Sequence, residues 1–406
     1  MERVVVTGLG IVCPIGIGKE EYWGNALIGR TGISELASVD TSSFDNHRGG
    51  EVKDLAALSF LSEAQVTNLE RGSVMAIMAA KLAVTDSDVE IDKMDRSRVG
   101  VFMGTTMGEI QALERMGKMR VMGGEMNLAP NLLQKYAAVN IPTNVARALG
   151  INGRTAILPN ACAAGNCAIS YSFEVIKAKK VDLALAGGVD PFSLVAFTGF
   201  NRLGAVSRDA VRPFDKESKG MMVSEGAGVI VMESLSCALR RKARIYAEIV
   251  GYGLTCDANH MTAPHPDGLV RAMRLALGRA KAKPSEIDCV IAHGTGTPSN
   301  DKAEIAALAE VFDQRPGEIA VTSMKSMLGH TMGAASAIEA LTNALIVSND
   351  VIPPTINFKM AHPEMSSKIR IVGNECLNRV VKYGMNNALA FGGVNASLIM
   401  KKFARG

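Results

Sequence analysis

One cysteine stands where the chain is predicted to enter a helix, a position that suits a nucleophile. In the segment Leu158–Gly165, Asn160 is a good N-cap residue, and three lysines between 177 and 180 close the apolar-periodic stretch that follows. A helix is therefore predicted to start just before Cys162. A thiol in a first helical turn feels the positive end of the dipole, which favours the thiolate that attacks thioesters. A cysteine among alanines is, however, more often a small core residue.

Two histidines offer imidazoles for the same chemistry. His293 closes the apolar run 289–292, a predicted strand, and opens a glycine-rich loop in which Thr295 and Thr297 offer hydroxyl groups to a polar ligand. His330 follows Lys325 and precedes the predicted helix 334–346, where the dipole and the lysine both disfavour protonation. A neutral imidazole there could donate a hydrogen bond to a carbonyl. Taken singly, such histidines are more often structural.

A glycine turn and two acids complete the candidate residues. Phe391, Gly392 and Gly393 join two apolar runs, and the glycines allow a turn whose N–H groups could face an oxyanion, although Phe391 also fits an ordinary core position. Asp301 and Glu304 are predicted in the first turn of a helix capped by Asn300, where acids complement the dipole. We interpret these two acids as support residues.

Short β-branched runs alternate with helical patterns, which predicts an α/β fold that positions these residues. Strands are predicted near 4–6, 99–103, 183–186, 229–232, 289–292, 320–322 and 396–400. Helices are predicted near 74–84, 168–177, 269–280, 303–312 and 334–346. A faint match between 181–188 and 287–294, each a strand running into a glycine turn, suggests two related halves. We place them at 1–250, with the nucleophile, and 251–406, with the histidines.

Composition excludes several other classes of protein. The 406 residues carry a net charge of only +4, without the basic footprint of a nucleic-acid binder. The seven cysteines are scattered and lack CxxC metal spacing, so we expect reduced thiols, no metal and a cytoplasmic location. The uncharged stretch 155–173 contains Pro159 and Asn160, which favours a buried strand-turn-helix over a membrane span. The N-terminal apolar run is too short for a secretory signal.

Together these residues resemble the β-ketoacyl-acyl-carrier-protein synthases of type II fatty-acid synthesis, particularly the second type, and the related type II polyketide ketosynthases. The likeness spans nearly the whole chain. It rests on Val4–Gly10, the Cys162 segment, Arg212-Pro213-Phe214-Asp215, Glu225-Gly226-Ala227-Gly228, His260-Met261-Thr262, the His293 loop, Lys325–His330 and Phe391-Gly392-Gly393. The resemblance implies a thiolase fold with five α-β-α-β-α layers, built from two βαβαβαββ halves. It also implies a homodimer, or a heterodimer with a chain-length-factor homologue.

The resemblance further implies a reaction without a cofactor of the protein's own. Cys162 would take an acyl group from the 4'-phosphopantetheine arm of an acyl carrier protein, with the N–H groups of Cys162 and Phe391 as oxyanion hole. His293 and His330 would stabilise the enolate left when malonyl carrier protein loses carbon dioxide. The implied supporting roles are pantetheine binding by Thr295 and Thr297, contact of Lys325 with Glu304, gating by Phe391 and limitation of acyl-pocket depth by Met107.

The chain also departs from the family pattern. Asn160 and Ala164 replace the usual threonines around the cysteine, and of the basic cluster usual at 62–71 only Arg71 remains. We therefore expect a modified carrier surface that uses Arg208, Lys118 or Arg120. Three alternatives stay open: the active ketosynthase subunit of a type II polyketide system, a non-catalytic chain-length subunit, and a cysteine hydrolase.

Overall fold

The computed structural model describes residues 2–53, 55, 68–122 and 130–404. Its strands are β1 (Val4–Cys13), β2 (Gly16–Ile17), β3 (Ile33–Glu35), β4 (Arg48–Gly50), β5 (Val99–Gly104), β6 (Thr155–Leu158), β7 (Leu183–Asp190), β8 (Gly226–Ser234), β9 (Ala247–Cys256), β10 (Cys289–Ile291), β11 (Ile319–Thr322), β12 (Val351–Ile352), β13 (Ile369–Ile371), β14 (Leu377–Asn378), β15 (Tyr383–Ala390) and β16 (Val394–Lys401).

The helices alternate with these strands as the sequence predicts. They are α1 (Lys19–Leu27), α2 (Arg71–Ser87), α3 (Ile110–Val121), α4 (Pro130–Tyr136), α5 (Asn140–Ala148), α6 (Ala164–Lys177), α7 (Leu194–Arg202), α8 (Leu235–Arg240), α9 (Pro266–Ala280), α10 (Pro298–Phe312), α11 (Lys325–Leu328) and α12 (Ala335–Asn349). Within the described ranges, no helix is both long enough and apolar enough to cross a membrane. The stretch 155–173 forms the predicted buried strand-turn-helix, since β6 leads through a short turn into α6.

Two runs of the main sheet have the same strand order and the same pairing. The order is β13-β11-β10-β15-β16-β9-β1-β8-β7-β5-β6. In the run from β6 to β1, and again in the run from β11 to β9, two parallel pairings are followed by two antiparallel ones. Each run therefore belongs to a βαβαβαββ unit, and the two units meet where β1 pairs with β9.

The faint sequence repeat that suggested this duplication matches strands that are not equivalent. Segment 181–188 contains β7, the fourth strand of its unit, whereas segment 287–294 contains β10, the second strand of the other. Both are buried strands that end in a turn, so their residue types converge without a shared position. The predicted division between residues 250 and 251 falls inside β9, and the boundary stays a prediction.

Helices α6 and α12 form the middle layer between the two runs of the sheet. Residues 335–347 of α12 are all buried, and Gly165 at the start of α6 lies against Ala337, where an added Cβ would come within 2.5 Å of the Ala337 nitrogen. Glycine at 165 therefore allows the two helices to approach closely. Outside the sheet, α2 packs on β1 and β8, and α9 packs on β9 and β16. The result is five layers.

Candidate active site

Two similar turns begin the two middle helices. A 3₁₀ turn, Ala161–Ala163, precedes α6, and a second one, Met332–Ala334, precedes α12. The first residue of each turn lies in the left-handed region, with φ of 47° at Ala161 and 51° at Met332. Residues with a Cβ rarely adopt this conformation, so both turns are held there by their surroundings.

Cys162 lies at the centre of the first turn. The prediction that Asn160 caps the helix is wrong, because its side chain makes no capping hydrogen bond and α6 starts at Ala164, after the cysteine. Burial raises the pKa of the Cys162 thiol to about 12, while the charge of Lys325 acts in the opposite direction. Burial therefore opposes the predicted preference for the thiolate.

Two backbone N–H groups face the sulfur of Cys162. One belongs to Phe391 and the other to Cys162 itself, and both lower the pKa of the thiol. The Phe391 N–H is available because Gly392 and Gly393 adopt φ of 86° and 79° and turn the chain after β15. The predicted glycine turn therefore brings a second N–H donor to the nucleophile, and a pair of such donors is what an oxyanion hole requires.

The two predicted histidines lie together, with ring centroids 5.3 Å apart. Both are buried, and burial first, then the charge of Lys325, holds each pKa well below its usual range, so both imidazoles are neutral at pH 7. The N–H of Met332 donates to Nδ1 of His330 at 3.1 Å. Neutral His330 therefore carries its proton on Nε2. Nδ1 of His293 has no hydrogen-bond partner within the described residues.

The Lys325 ammonium group is paired with Glu339, not with Glu304 as predicted. Its Nζ donates to Glu339 Oε1 at 2.5 Å, and both side chains are buried. Glu304 instead accepts the N–H groups of His293 and Gly294, at 2.9 and 2.8 Å, and so fixes the backbone that carries the first histidine. Sequence reasoning missed Glu339, although a lone acid in the otherwise uncharged helix 334–346 was a usable signal.

Asp301 supports the same loop from the first turn of α10. It accepts the N–H groups of Phe214 and Gly296, at 2.7 and 3.1 Å, and burial raises its pKa to about 7. Asn300 is not the cap, since α10 starts at Pro298 after Thr297. Glu304 consequently lies one turn later in the helix than predicted.

The nucleophile and both histidines line one cavity of about 380 Å³. Its lining brings together most of the predicted chemical residues: Cys162, His293, Thr295, Thr297, His330, Phe391 and Gly393. The hydroxyls of Thr295 and Thr297 lie 2.8 Å apart. Phe391 is no core residue, since the residue is 39% exposed and the centroid of its ring lies 5.2 Å from that of Phe200 at the cavity wall. Its place between cavity and solvent suits the implied gate.

Met107 does not line this cavity. It lies in the loop after β5, where its N–H donates to the buried carboxylate of Asp190 at 2.8 Å. Asp190 ends β7 and was not a candidate in the sequence, because nothing in the sequence around it distinguishes it from an ordinary turn residue.

The basic residues considered for a carrier surface differ in their exposure and in their ion pairs. Arg71 binds Glu225 with N···O distances of 2.6 and 2.7 Å, so it is an internal ion pair. Arg208 is exposed and paired with Asp45. Lys118 and Arg120 lie exposed in the last turn of α3. Most of the segment 62–71, from 62 to 67, lies outside the described residues.

Two family descriptions match most of the chain. "Beta-ketoacyl synthase, N-terminal domain" matches residues 1–238, and "Beta-ketoacyl synthase, C-terminal domain" matches residues 246–359. The chain belongs to the β-ketoacyl synthase family. This condensing enzyme is 35% identical over 410 residues to the 3-oxoacyl-acyl-carrier-protein synthase 2 of Staphylococcus aureus (strain COL), with 99% of both chains covered. The predicted family is thereby confirmed.

Solved ketosynthases share the architecture of the synthase. The ishigamide ketosynthase/chain length factor matches with a TM-score of 0.95 and 38% identity, over 99% of this chain and 100% of that one. A type II polyketide ketosynthase, solved in complex with its acyl-carrier protein and a hexaketide, matches with a TM-score of 0.90 and 29% identity, over 99% and 100% of the chains. The predicted thiolase fold is confirmed by this likeness.

Proposed function

We propose that this β-ketoacyl synthase condenses malonyl carrier protein with an acyl group held on Cys162 and so lengthens the acyl chain by two carbons. One observation carries the proposal: the thiol meets two N–H donors on one side of a cavity that two neutral histidines also line. Such a set offers separate hydrogen-bond donors to two thioester carbonyls, one of the acyl group and one of the malonyl group, which a hydrolase with one histidine does not need.

In the first half-reaction, the sulfur of Cys162 attacks the thioester carbonyl of an acyl group on the carrier's phosphopantetheine arm. The oxyanion that forms accepts hydrogen bonds from the N–H groups of Cys162 and Phe391. The thiol of the arm leaves, and the acyl group stays on Cys162. The charge of Lys325, which favours the thiolate, assists this step.

In the second half-reaction, malonyl carrier protein occupies the cavity and loses carbon dioxide. Negative charge then develops on its thioester oxygen, where hydrogen bonds from neutral His293 and His330 stabilise the enolate. The proton on Nε2 of His330, implied by the bond to Nδ1, suits this donor role. The enolate carbon attacks the acyl carbonyl on Cys162, and the released sulfur leaves a β-ketoacyl chain on the carrier.

The remaining residues are proposed as binding and control groups. Thr295 and Thr297 line the cavity with paired hydroxyls that suit the amides of the pantetheine arm. Half-exposed Phe391 would gate the cavity between the two half-reactions. Met107 stays our proposal for the residue that limits acyl length.

A type II polyketide role is the second candidate, and the 38% identity to the ishigamide ketosynthase/chain length factor favours it. The chain would then be the active subunit of a heterodimer, whereas a fatty-acid enzyme would form a homodimer. Co-purification with a homologue that lacks the cysteine distinguishes the two. A non-catalytic role is disfavoured because Cys162, His293, His330 and Lys325 are all present. The seven free cysteines favour work in the cytoplasm.

The carrier surface is proposed to use Arg208, Lys118 or Arg120, all exposed cations that an acidic carrier protein would meet. Charge reversal of each residue should raise the KM for the carrier and leave kcat nearly unchanged. Arg71→Glu is unsuitable for this test because Arg71 belongs to an internal ion pair. Unchanged carrier-dependent turnover in all three variants would refute this surface.

The deciding experiment is mass spectrometry of the protein after incubation with acyl and malonyl carrier proteins. We expect an acyl adduct on Cys162 and a β-ketoacyl product on the carrier. Cys162→Ala should give neither, while Cys167→Ala, a change at a nearby buried cysteine, should leave both. Release of free fatty acid without a longer chain would identify a hydrolase instead.

A further inference from the structure

Asp190 is a buried carboxylate that joins two separate parts of the site. Its Oδ1 accepts the hydroxyl of Thr105 at 2.7 Å and the N–H of Met107 at 2.8 Å. Its Oδ2 accepts the N–H of Thr106 at 2.8 Å and the N–H of Gly333 at 2.6 Å. Each oxygen therefore holds two donors, and the side chain has no exposure to solvent.

One arm of this network reaches His330. Gly333 follows Met332, whose N–H donates to Nδ1 of His330, and both belong to the strained turn before α12. The bond from Gly333 to Asp190 spans 143 positions of sequence and ties that turn to the end of β7. Because the turn sets which nitrogen of His330 carries the proton, anything that holds the turn also orients this imidazole.

The other arm shapes the loop after β5. Three consecutive residues, Thr105 to Met107, bond to Asp190, and the hydroxyl of Thr105 accepts the N–H of Gly108 at 2.8 Å. The loop backbone is thus fixed on both sides of Met107. The loop starts beside the nucleophile's helix, since a Cβ added at Gly104, just before Thr105, would come within 2.3 Å of the backbone of Ala164, two residues after Cys162.

We infer that Asp190 is a positioning residue that holds the His330 turn and the Met107 loop in one arrangement, so that acyl-chain selection and malonyl decarboxylation depend on the same carboxylate. The inference rests on the roles proposed above for Cys162, His330 and Met107. An asparagine at this position would have one acceptor oxygen for the four donors. Its NH₂ group would take the place of the other oxygen and would face two of those donors. Asp190→Asn must therefore release bonds in at least one arm.

A double-mutant cycle tests whether Asp190 acts through His330. Asp190→Asn should lower kcat for malonyl decarboxylation about tenfold in the otherwise unchanged enzyme, with KM within twofold. In a His330→Ala background the same change should lower this kcat less than twofold, because the imidazole that Asp190 orients is absent. An equal fold-loss of kcat in both backgrounds would overturn the positioning role. A general structural defect would act independently of His330 and would lower kcat by the same factor with or without the imidazole.

The acyl arm is tested with Thr105→Val, which removes one bond to Asp190 and leaves the carboxylate in place. It should change which lengths in a series of saturated acyl carrier proteins load Cys162, measured by mass spectrometry, with decarboxylation within twofold of the unchanged enzyme. An unaltered length preference would overturn this arm. The variant is mild enough to remain a test if Asp190→Asn does not fold.

Asp182→Asn is the matched control. Asp182 precedes the other end of the same strand and pairs with Arg98 at 2.6 Å, far along β7 from the site. It should leave both readouts unchanged. If the unmodified enzyme neither loads Cys162 nor decarboxylates malonyl carrier protein, the proposed function fails; if it does both and the cycle shows no coupling, only the inference about Asp190 fails.

Discussion

The imidazole rings of His293 and His330 meet edge to face, with their planes at 81° and their centroids 5.3 Å apart. The two histidines come from different strand ends of the second unit, after β10 and after β11. Glu304 fixes the backbone of one, and Met332 fixes the ring of the other. Two neutral donors from independent supports therefore converge on one cavity.

This convergence predicts that the histidines serve decarboxylation more than acyl loading. His293→Ala and His330→Ala should each lower malonyl decarboxylation by about 10²–10³-fold, the usual loss for one oxyanion donor. Loading of Cys162 relies on the sulfur and the N–H donors, so it should fall less than about tenfold. The two half-reactions are measured separately by carbon dioxide release and by mass spectrometry. His47→Ala, at an exposed position outside the cavity lining, is the control, and equal losses in both half-reactions would contradict the assignment.

The buried thiol predicts a steep pH dependence of its reactivity. Since the pKa of Cys162 is raised to about 12, the thiolate fraction should grow about tenfold for each pH unit between 6 and 9. Alkylation of Cys162 by iodoacetamide, followed by peptide mass spectrometry, should accelerate in the same proportion. A rate that is constant above pH 7 would instead mean a thiolate already formed at neutral pH.

The ion pair of Lys325 and Glu339 predicts that stability and reactivity can be separated. Glu339→Gln leaves a buried ammonium group without its partner, which should cost about 3–5 kcal/mol of unfolding free energy. The double change Lys325→Met with Glu339→Leu should recover most of that loss. It should still slow alkylation of Cys162 at pH 8, because the charge that lowers the thiol pKa is absent. Recovery of both properties would contradict a role for Lys325 at the sulfur.

Glu109 predicts a contribution to stability that is lost as pH rises from about 4.5 to about 7. Burial raises the pKa of this carboxyl to about 7, above the ordinary 4.5. Between these values the folded protein binds more protons than the unfolded chain, so the free energy of unfolding falls with increasing pH. Glu109→Gln should flatten the slope between pH 5 and 7 by up to about 1.4 kcal/mol per pH unit. Urea titrations at several pH values measure it, and an unchanged slope would contradict the shift.

Sequence reasoning could predict the chemical residues because each stands at a recognisable boundary. Cys162 precedes a helix, and His293 and Phe391 follow strands, so the pattern of apolar runs and turn residues marks their positions. The cores of most main strands were predictable for the same reason, although strands such as β9 and β15 were missed. These strands are interrupted by polar or glycine residues, such as Asn386 and Asn387, that the sheet nevertheless buries.

The supporting carboxylates could not be predicted in the same way. We expected Lys325 to pair with Glu304. In the structure Lys325 pairs with Glu339, because α12 brings that side chain to the lysine. Asp190 meets Gly333 only after the two units have packed together. The pKa of Cys162 also depends on burial in that assembled core, which local helix rules do not contain.

The 3₁₀ turns before α6 and α12 occupy equivalent places in the two units but carry different residues. Gly333 occupies in the second turn the place that Cys162 occupies in the first. A chain with two copies of a unit contains each turn twice, so one copy can carry a reactive side chain while the other does not. In this chain the second copy of the turn has no side chain at that place, and the N–H of its Met332 orients His330. One repeated turn thus carries the nucleophile in the first unit and supports His330 in the second.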